Sequence, residues 1–145
     1  RECGAPARPA ILMFGDYNWT DSSAQSGRWS AWQKAVRERA QAAEGNGGPL
    51  KVAILEIGAG GNVTTVRSTS ESCLDGFLRA GADARLIRVN PDMPAGDGAK
   101  YALKEEGQTY TVDDLLELPV LSIMGRGLET LRQIDAAMPS EMSAL

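Results

Sequence analysis

A cluster of glycines closes the most apolar segment of this chain, and its composition suits the holding of an anion. In Lys51-Val-Ala-Ile-Leu-Glu-Ile-Gly58-Ala59-Gly60-Gly61-Asn62-Val-Thr-Thr-Val66, apolar and β-branched residues give way to glycines and then to small hydroxyl residues. A strand that stops at glycines and passes into a helix N-terminus brings main-chain N–H groups close to a nucleotide phosphate. Glycine leaves the backbone bare, and the helix end carries partial positive charge. The same composition serves a strand-to-helix turn that needs glycine for its φ angles and binds nothing. Gly58, Gly60 and Gly61 read G-x-G-G, with Val63 and Thr64 where a dinucleotide fingerprint would carry its third glycine. Taken alone, the stretch leaves both uses open.

The other chemistry open to the chain is bounded by what it lacks. It contains 0 histidines. Without imidazole there is no Ser-His-Asp triad, no Cys-His pair, no His-ligated zinc and no histidine general base within these residues. Catalysis confined to them would run on carboxylates, Lys, Tyr or Cys. The 2 cysteines, Cys3 and Cys73, are far apart and form neither a C-x-x-C nor a disulfide framework. Cys3 is either a small free or buried thiol or one ligand of a metal site whose other cysteines precede Arg1.

A chain of 145 residues is one domain, or a piece of a larger one, and a first residue of Arg1 suggests a processed chain or fragment. Hydrophobic residues make up 43%, enough for a core, and the net charge of −4 argues against electrostatic binding of nucleic acid or acidic membrane. No apolar run approaches the roughly 20 residues of a membrane span, and no leader pattern opens the chain. The expected partners therefore include neither nucleic acid nor membrane.

The elements that must position the glycines can be read from periodicity. Ala10-Ile-Leu-Met-Phe14, between Pro9 and Gly15, fits a short buried strand. Asp21-Ser-Ser offers an N-cap, after which Trp29, Trp32, Val36, Ala40 and Ala43 form one face of a helix ending near Glu44. Two tryptophans on an apolar stripe are more often core or a helix–sheet contact than a base-stacking platform. Gly45 to Pro49 makes a turn. Val52 to Ile57 resembles a central parallel strand, Thr64 to Arg79 a helix with Gly81 near its end, and Ala84 to Val89 a second strand stopped by Asn90-Pro91. Together they predict a parallel βαβ unit. Pro91 to Gly98 reads as loop, Tyr101 to Val112 as a hairpin about Glu105–Gln108, and Thr111 to Leu116 as a short capped helix. A last amphipathic helix starts near Arg126 and carries Leu128, Leu131, Ile134 and Met138, ahead of a frayed tail at 139–145. Arg67 and Glu71 stand one turn apart, spaced for an exposed i,i+4 ion pair.

Read in series, the motifs resemble one family. Arg8-Pro9-Ala-Ile-Leu-Met-Phe14-Gly15-Asp16 resembles the R-P-x-V-V-x-F-G-E segment of sirtuins, the NAD-dependent protein deacylases. Cys3-Gly-Ala-Pro-Ala-Arg-Pro resembles the last zinc cysteine of those proteins, which stands shortly before that segment. Ile57-Gly58-Ala-Gly-Gly-Asn-Val63 resembles their I-G-T-S-x-x-V loop, and Leu86-Ile-Arg-Val-Asn90 their strand ending in I-N. Order and spacing agree from Cys3 to Pro91.

The resemblance implies an α/β fold, part of a Rossmann-like parallel sheet flanked by helices. Residues 1–9 would end a zinc module, 10–138 would form the Rossmann-like part, and 139–145 the tail. It implies NAD as cofactor, held by Gly58, Ala59, Gly60, Asn62 and Asn90, with Asn90 at the adenosine ribose. On spacing alone, Asn90 is a turn residue before proline. It implies an acyl-lysine protein or peptide as substrate: Ile11 and Phe14 would line the tunnel for the acyl chain, and the backbone of Phe14, Gly15 and Asp16 would pair with the peptide as an added strand. Cys3 would be one ligand of a structural zinc. Departures are plain: Asp16 replaces Glu, and Ala59-Gly60 replace Thr-Ser, removing hydroxyls that Asn62 or Thr64 would have to replace. The family's first cofactor turn, nicotinamide residues, catalytic histidine and remaining zinc cysteines are not in this sequence. In the family the acyl oxygen attacks the nicotinamide ribose carbon, nicotinamide leaves, and the histidine removes a ribose hydroxyl proton. The chain would hold part of the NAD and peptide surfaces and supply no catalytic residue.

Overall fold

The structure is a computed structural model that describes residue 4 and residues 11–43, 47–92 and 118–138. Its elements are helix α1 (Ser23–Ala43), strand β1 (Lys51–Ile57), helix α2 (Thr65–Arg79), strand β2 (Asp83–Val89), strand β3 (Val120–Ile123) and helix α3 (Gly127–Ala137). The fold is α/β: a three-stranded parallel sheet in the order β1-β2-β3, flanked by helices.

Local chemistry sets the helix ends. Ser22 caps α1, its Oγ accepting from the Gln25 N–H at 3.3 Å, while Asp21 Oδ1 accepts from the Ser22 N–H at 2.8 Å. At the C-terminal end of α2, Gly81 adopts φ +84°. The Ala82 N–H then reaches the Phe77 carbonyl at 3.0 Å and the Gly81 N–H the Leu78 carbonyl at 3.0 Å, a Schellman closure that turns the chain straight into β2.

One face of the sheet is covered. Val52 and Ile54 of β1 and Ala84 and Leu86 of β2 meet Leu74 and Phe77 of α2, with Val36 and Ala40 of α1 behind them. Leu74, Phe77 and Leu86 are fully buried. Burying such side chains contributes roughly 1.5–3 kcal/mol each, and this layer is the hydrophobic core of the described residues. The opposite face carries Ala53, Leu55 and Ile57 and is much more exposed, with Leu55 and Ile57 near half of their full surface.

The fold corrects several expectations. The predicted βαβ unit is present and parallel. However, β1 is buried on alternate residues, unlike a central strand covered on both sides, and among the described residues β2 is its single strand neighbour. Residues 11–14 form no strand: Ile11, Leu12 and Met13 are about 60% exposed and Phe14 is 94% exposed. A short apolar run becomes a strand only when a sheet edge pairs with it, and no such pairing is present among the described residues. Trp29 and Trp32 stack at 5.1 Å, and Trp32 meets Phe77 edge-on at 5.9 Å, yet both tryptophans are nearly half exposed. They seal the rim of the core and do not fill it. The hairpin and short helix expected between Tyr101 and Leu116, the residues before Gly4 and the tail from Pro139 lie outside the described residues.

Candidate functional site

The carboxyl ends of β1 and β2 lie side by side, Ile57 opposite Val89, and the ladder continues for one more bond from the Gly58 N–H to the Val89 carbonyl at 2.9 Å. Beyond this bond the chain must turn sharply toward α2. Gly58 does so at φ +71°, a conformation that costs an L side chain about 1–2 kcal/mol. A cleft of about 350 Å³ opens here, lined by Gly58, Gly60, Gly61, Asn62, Asn90, Pro91 and Asp92. Crevices beyond the carboxyl ends of parallel strands are where open α/β sheets take their ligands.

Asn90 ties the two walls of this cleft together. Its main chain is fixed to β3, donating to the Ile123 carbonyl at 3.1 Å and accepting from the Gly125 N–H at 3.3 Å. Its side-chain Nδ2 donates to the Ala59 carbonyl at 2.9 Å, and its Oδ1 accepts from the Asp92 N–H at 2.8 Å. The residue is 6% exposed. Asn90 is thus a turn residue, as its position before proline suggests, and also a brace for the glycine loop.

Behind the loop lies a buried set of charges. Glu56 and Arg88 face each other on the β1–β2 ladder and join in a two-pronged ion pair, Nη2 to Oε2 at 3.1 Å and Nε to Oε1. Arg88 Nη1 also reaches Glu71 Oε1 on α2 at 3.0 Å. The Arg88 side chain is 0% exposed, Glu56 2% and Glu71 12%. Burial by itself would lower the Arg88 pKa, but its bonds to Glu56 and Glu71 outweigh burial and hold it above the ordinary value. Arg67, in the first turn of α2, is 1% exposed and points its Nη1 at the Ala59 carbonyl, 3.5 Å away. It is not on the surface, so the expected exposed pair with Glu71 is not what this helix presents. Among the described residues no buried side-chain N or O atom lacks a hydrogen-bond partner.

Gly58, Gly60, Asn62 and Asn90 therefore converge on one cleft, with Ala59 buried in its wall. Ile11, Phe14, Gly15 and Asp16 are not among the residues lining it; Ile11, Phe14 and Gly15 are exposed, and Asp16 is half-buried with its N–H meeting the Met13 carbonyl. Cys3 lies outside the described residues, and among those described no group of three or more His, Cys, Asp or Glu could hold a metal. The buried Glu56–Arg88–Glu71 array is what sequence reasoning missed. Its signal is a glutamate at the end of one apolar strand and an arginine at the matching place in the next, both in otherwise apolar company.

Comparison of the chain with protein-family models, curated proteins and solved structures returned no match.

Proposed function

We propose that this chain forms part of a sirtuin-type NAD-dependent protein lysine deacylase and supplies one wall of its NAD site. The observation that carries the proposal is the meeting of the glycine loop and Asn90 at the carboxyl ends of two parallel strands, locked by the 2.9 Å bond from Asn90 to the Ala59 carbonyl. Gly58 and Gly60 bring bare backbone to the phosphates, Asn62 offers a polar side chain at the rim, and Asn90 shapes the ribose end. NAD would supply the electrophilic ribose carbon and the nicotinamide leaving group. The segment Ile11–Asp16 is the surface offered to the acyl-lysine peptide, with the exposed Ile11 and Phe14 as its apolar contacts. Cys3 is assigned to a structural zinc whose other ligands lie outside this sequence.

The absence of histidine from the 145 residues favours a second reading, a binding module for NAD or ADP-ribose without catalysis. In the deacylase reading the histidine base comes from residues outside this sequence. The test is nicotinamide release from NAD in the presence of an acetyl-lysine peptide, using the protein in the full form its coding sequence specifies. NAD-dependent deacylation supports the enzyme. ADP-ribose binding without nicotinamide release selects the module, and binding of neither NAD nor ADP-ribose overturns both.

A further inference from the structure

We infer that Arg67 is a positioning residue for the pyrophosphate of a bound nucleotide, acting from behind the loop by fixing the peptide between Ala59 and Gly60. The inference rests on the nucleotide site proposed above and deepens it. The Ala59 carbonyl is held by two donors, Asn90 Nδ2 at 2.9 Å and Arg67 Nη1 at 3.5 Å, and both donors are more than nine-tenths buried. This peptide is trans. In a trans peptide the carbonyl and the following N–H point in opposite directions. A carbonyl drawn inward by Arg67 and Asn90 therefore turns the Gly60 N–H outward, and Gly60 lines the cleft while Ala59 is buried beneath it. The product is a preorganised main-chain donor aimed at the place an anionic oxygen would occupy.

The charge on Arg67 is what suits it to this task and what makes it costly to keep. A buried guanidinium needs compensation, and the nearby array of Glu56, Glu71 and Arg88 brings two carboxylates against one further cation. Among the described residues, Arg67 makes this set two carboxylates and two cations. Arg67 also stands in the first turn of α2, where its side chain runs back toward the helix N-terminus and under the loop. The same bonds thus join the ends of β1 and β2, the loop and the start of α2.

A merely structural arginine and a positioning one differ in which ligands they affect. ADP-ribose, which carries the pyrophosphate, and adenosine, which does not, are titrated calorimetrically into the protein in the full form its coding sequence specifies, as wild type and as Arg67→Met and Arg67→Lys. Arg67→Met should weaken ADP-ribose by roughly tenfold or more, as expected for loss of a hydrogen bond to a charged group, and leave adenosine within about twofold. Arg67→Lys should recover part of the loss. Equal weakening of both ligands, or of neither, overturns the inference while leaving the nucleotide site standing. A full-length wild-type protein that binds neither ligand removes the site itself and the inference with it. Should both variants fail to fold, the wild-type Gly60 amide decides by NMR: a downfield shift with ADP-ribose but not with adenosine supports the inference, and no shift with ADP-ribose overturns it.

Discussion

Glu56 and Arg88 stand on the same rung of the β1–β2 ladder and close a buried two-pronged ion pair, which Glu71 completes from α2. Taking such charges out of water costs several kcal/mol per ion, so the set persists only while every member is partnered. Arg88→Met leaves the Glu56 and Glu71 carboxylates, 2% and 12% exposed, without the cation that bridges them. The expected loss is about 3–5 kcal/mol in urea denaturation at neutral pH. A loss below about 1 kcal/mol would mean that water reaches the array and that it does not tie α2 to the strands.

Two aromatic positions on neighbouring helices should behave very differently. Phe77 is fully buried under Trp32, whereas Trp29 is 46% exposed on the outer side of the stack. Phe77→Ala should cost about 3–5 kcal/mol through the cavity it leaves. Trp29→Ala should cost about 1 kcal/mol, the worth of an aromatic pair at a rim. Thermal or urea unfolding of the two variants side by side checks the contrast.

At Gly58 the penalty should be conformational alone. A Cβ built there meets nothing within 4 Å, but φ is +71°. Gly58→Ala is expected to lose about 1–2 kcal/mol, and Gly58→Asn less, because asparagine tolerates this region better. Equal stability of Gly58→Ala and wild type would show that the turn relaxes to another conformation.

Cys73 sits 8% exposed between α1 and α2, and its Sγ accepts from Gln33 Nε2 at 3.2 Å. Burial pushes its pKa up, against smaller lowering effects from the Gln33 bond and the Arg37 charge. The folded state thus keeps its proton at pH values where the unfolded thiol loses one, so stability falls as pH rises. The contribution is intact below the unfolded thiol value of about 8.5 and is lost as pH climbs through the folded value. Urea midpoints measured across this alkaline range should fall less steeply for Cys73→Ala than for wild type. Parallel slopes would contradict the burial of the thiol.

The glycine stretch, its strand and the two flanking helices were legible because each has a strong local signal: a cap at Ser22, a period of three and four in α1, and glycine at both ends of α2. The parallel pairing of β1 with β2 followed from their length and the helix between them. The rest depends on partners that periodicity does not name. Val120–Ile123 is only four residues long, and it becomes a strand because Leu86 and Val89 of β2 lie beside it. Ile11–Phe14 has the composition of a strand but, among the described residues, no sheet edge to pair with. In the site, Asn90 was legible as a turn residue at a strand end, whereas its bond to the Ala59 carbonyl arises only when the two strand ends meet. Arg67 has the spacing to Glu71 of an exposed surface pair. Its burial is set by the loop folded over it, which no helical period records.

The most direct test of the account is a calorimetric titration of ADP-ribose into the protein in the full form its coding sequence specifies, as wild type and as Asn90→Ala. The cleft between Gly58 and Asp92 should bind ADP-ribose, and loss of the Asn90 brace should weaken that binding by roughly tenfold or more. A folded full-length wild-type protein that takes up no ADP-ribose, or an Asn90→Ala variant that binds it as tightly as wild type, would contradict the account.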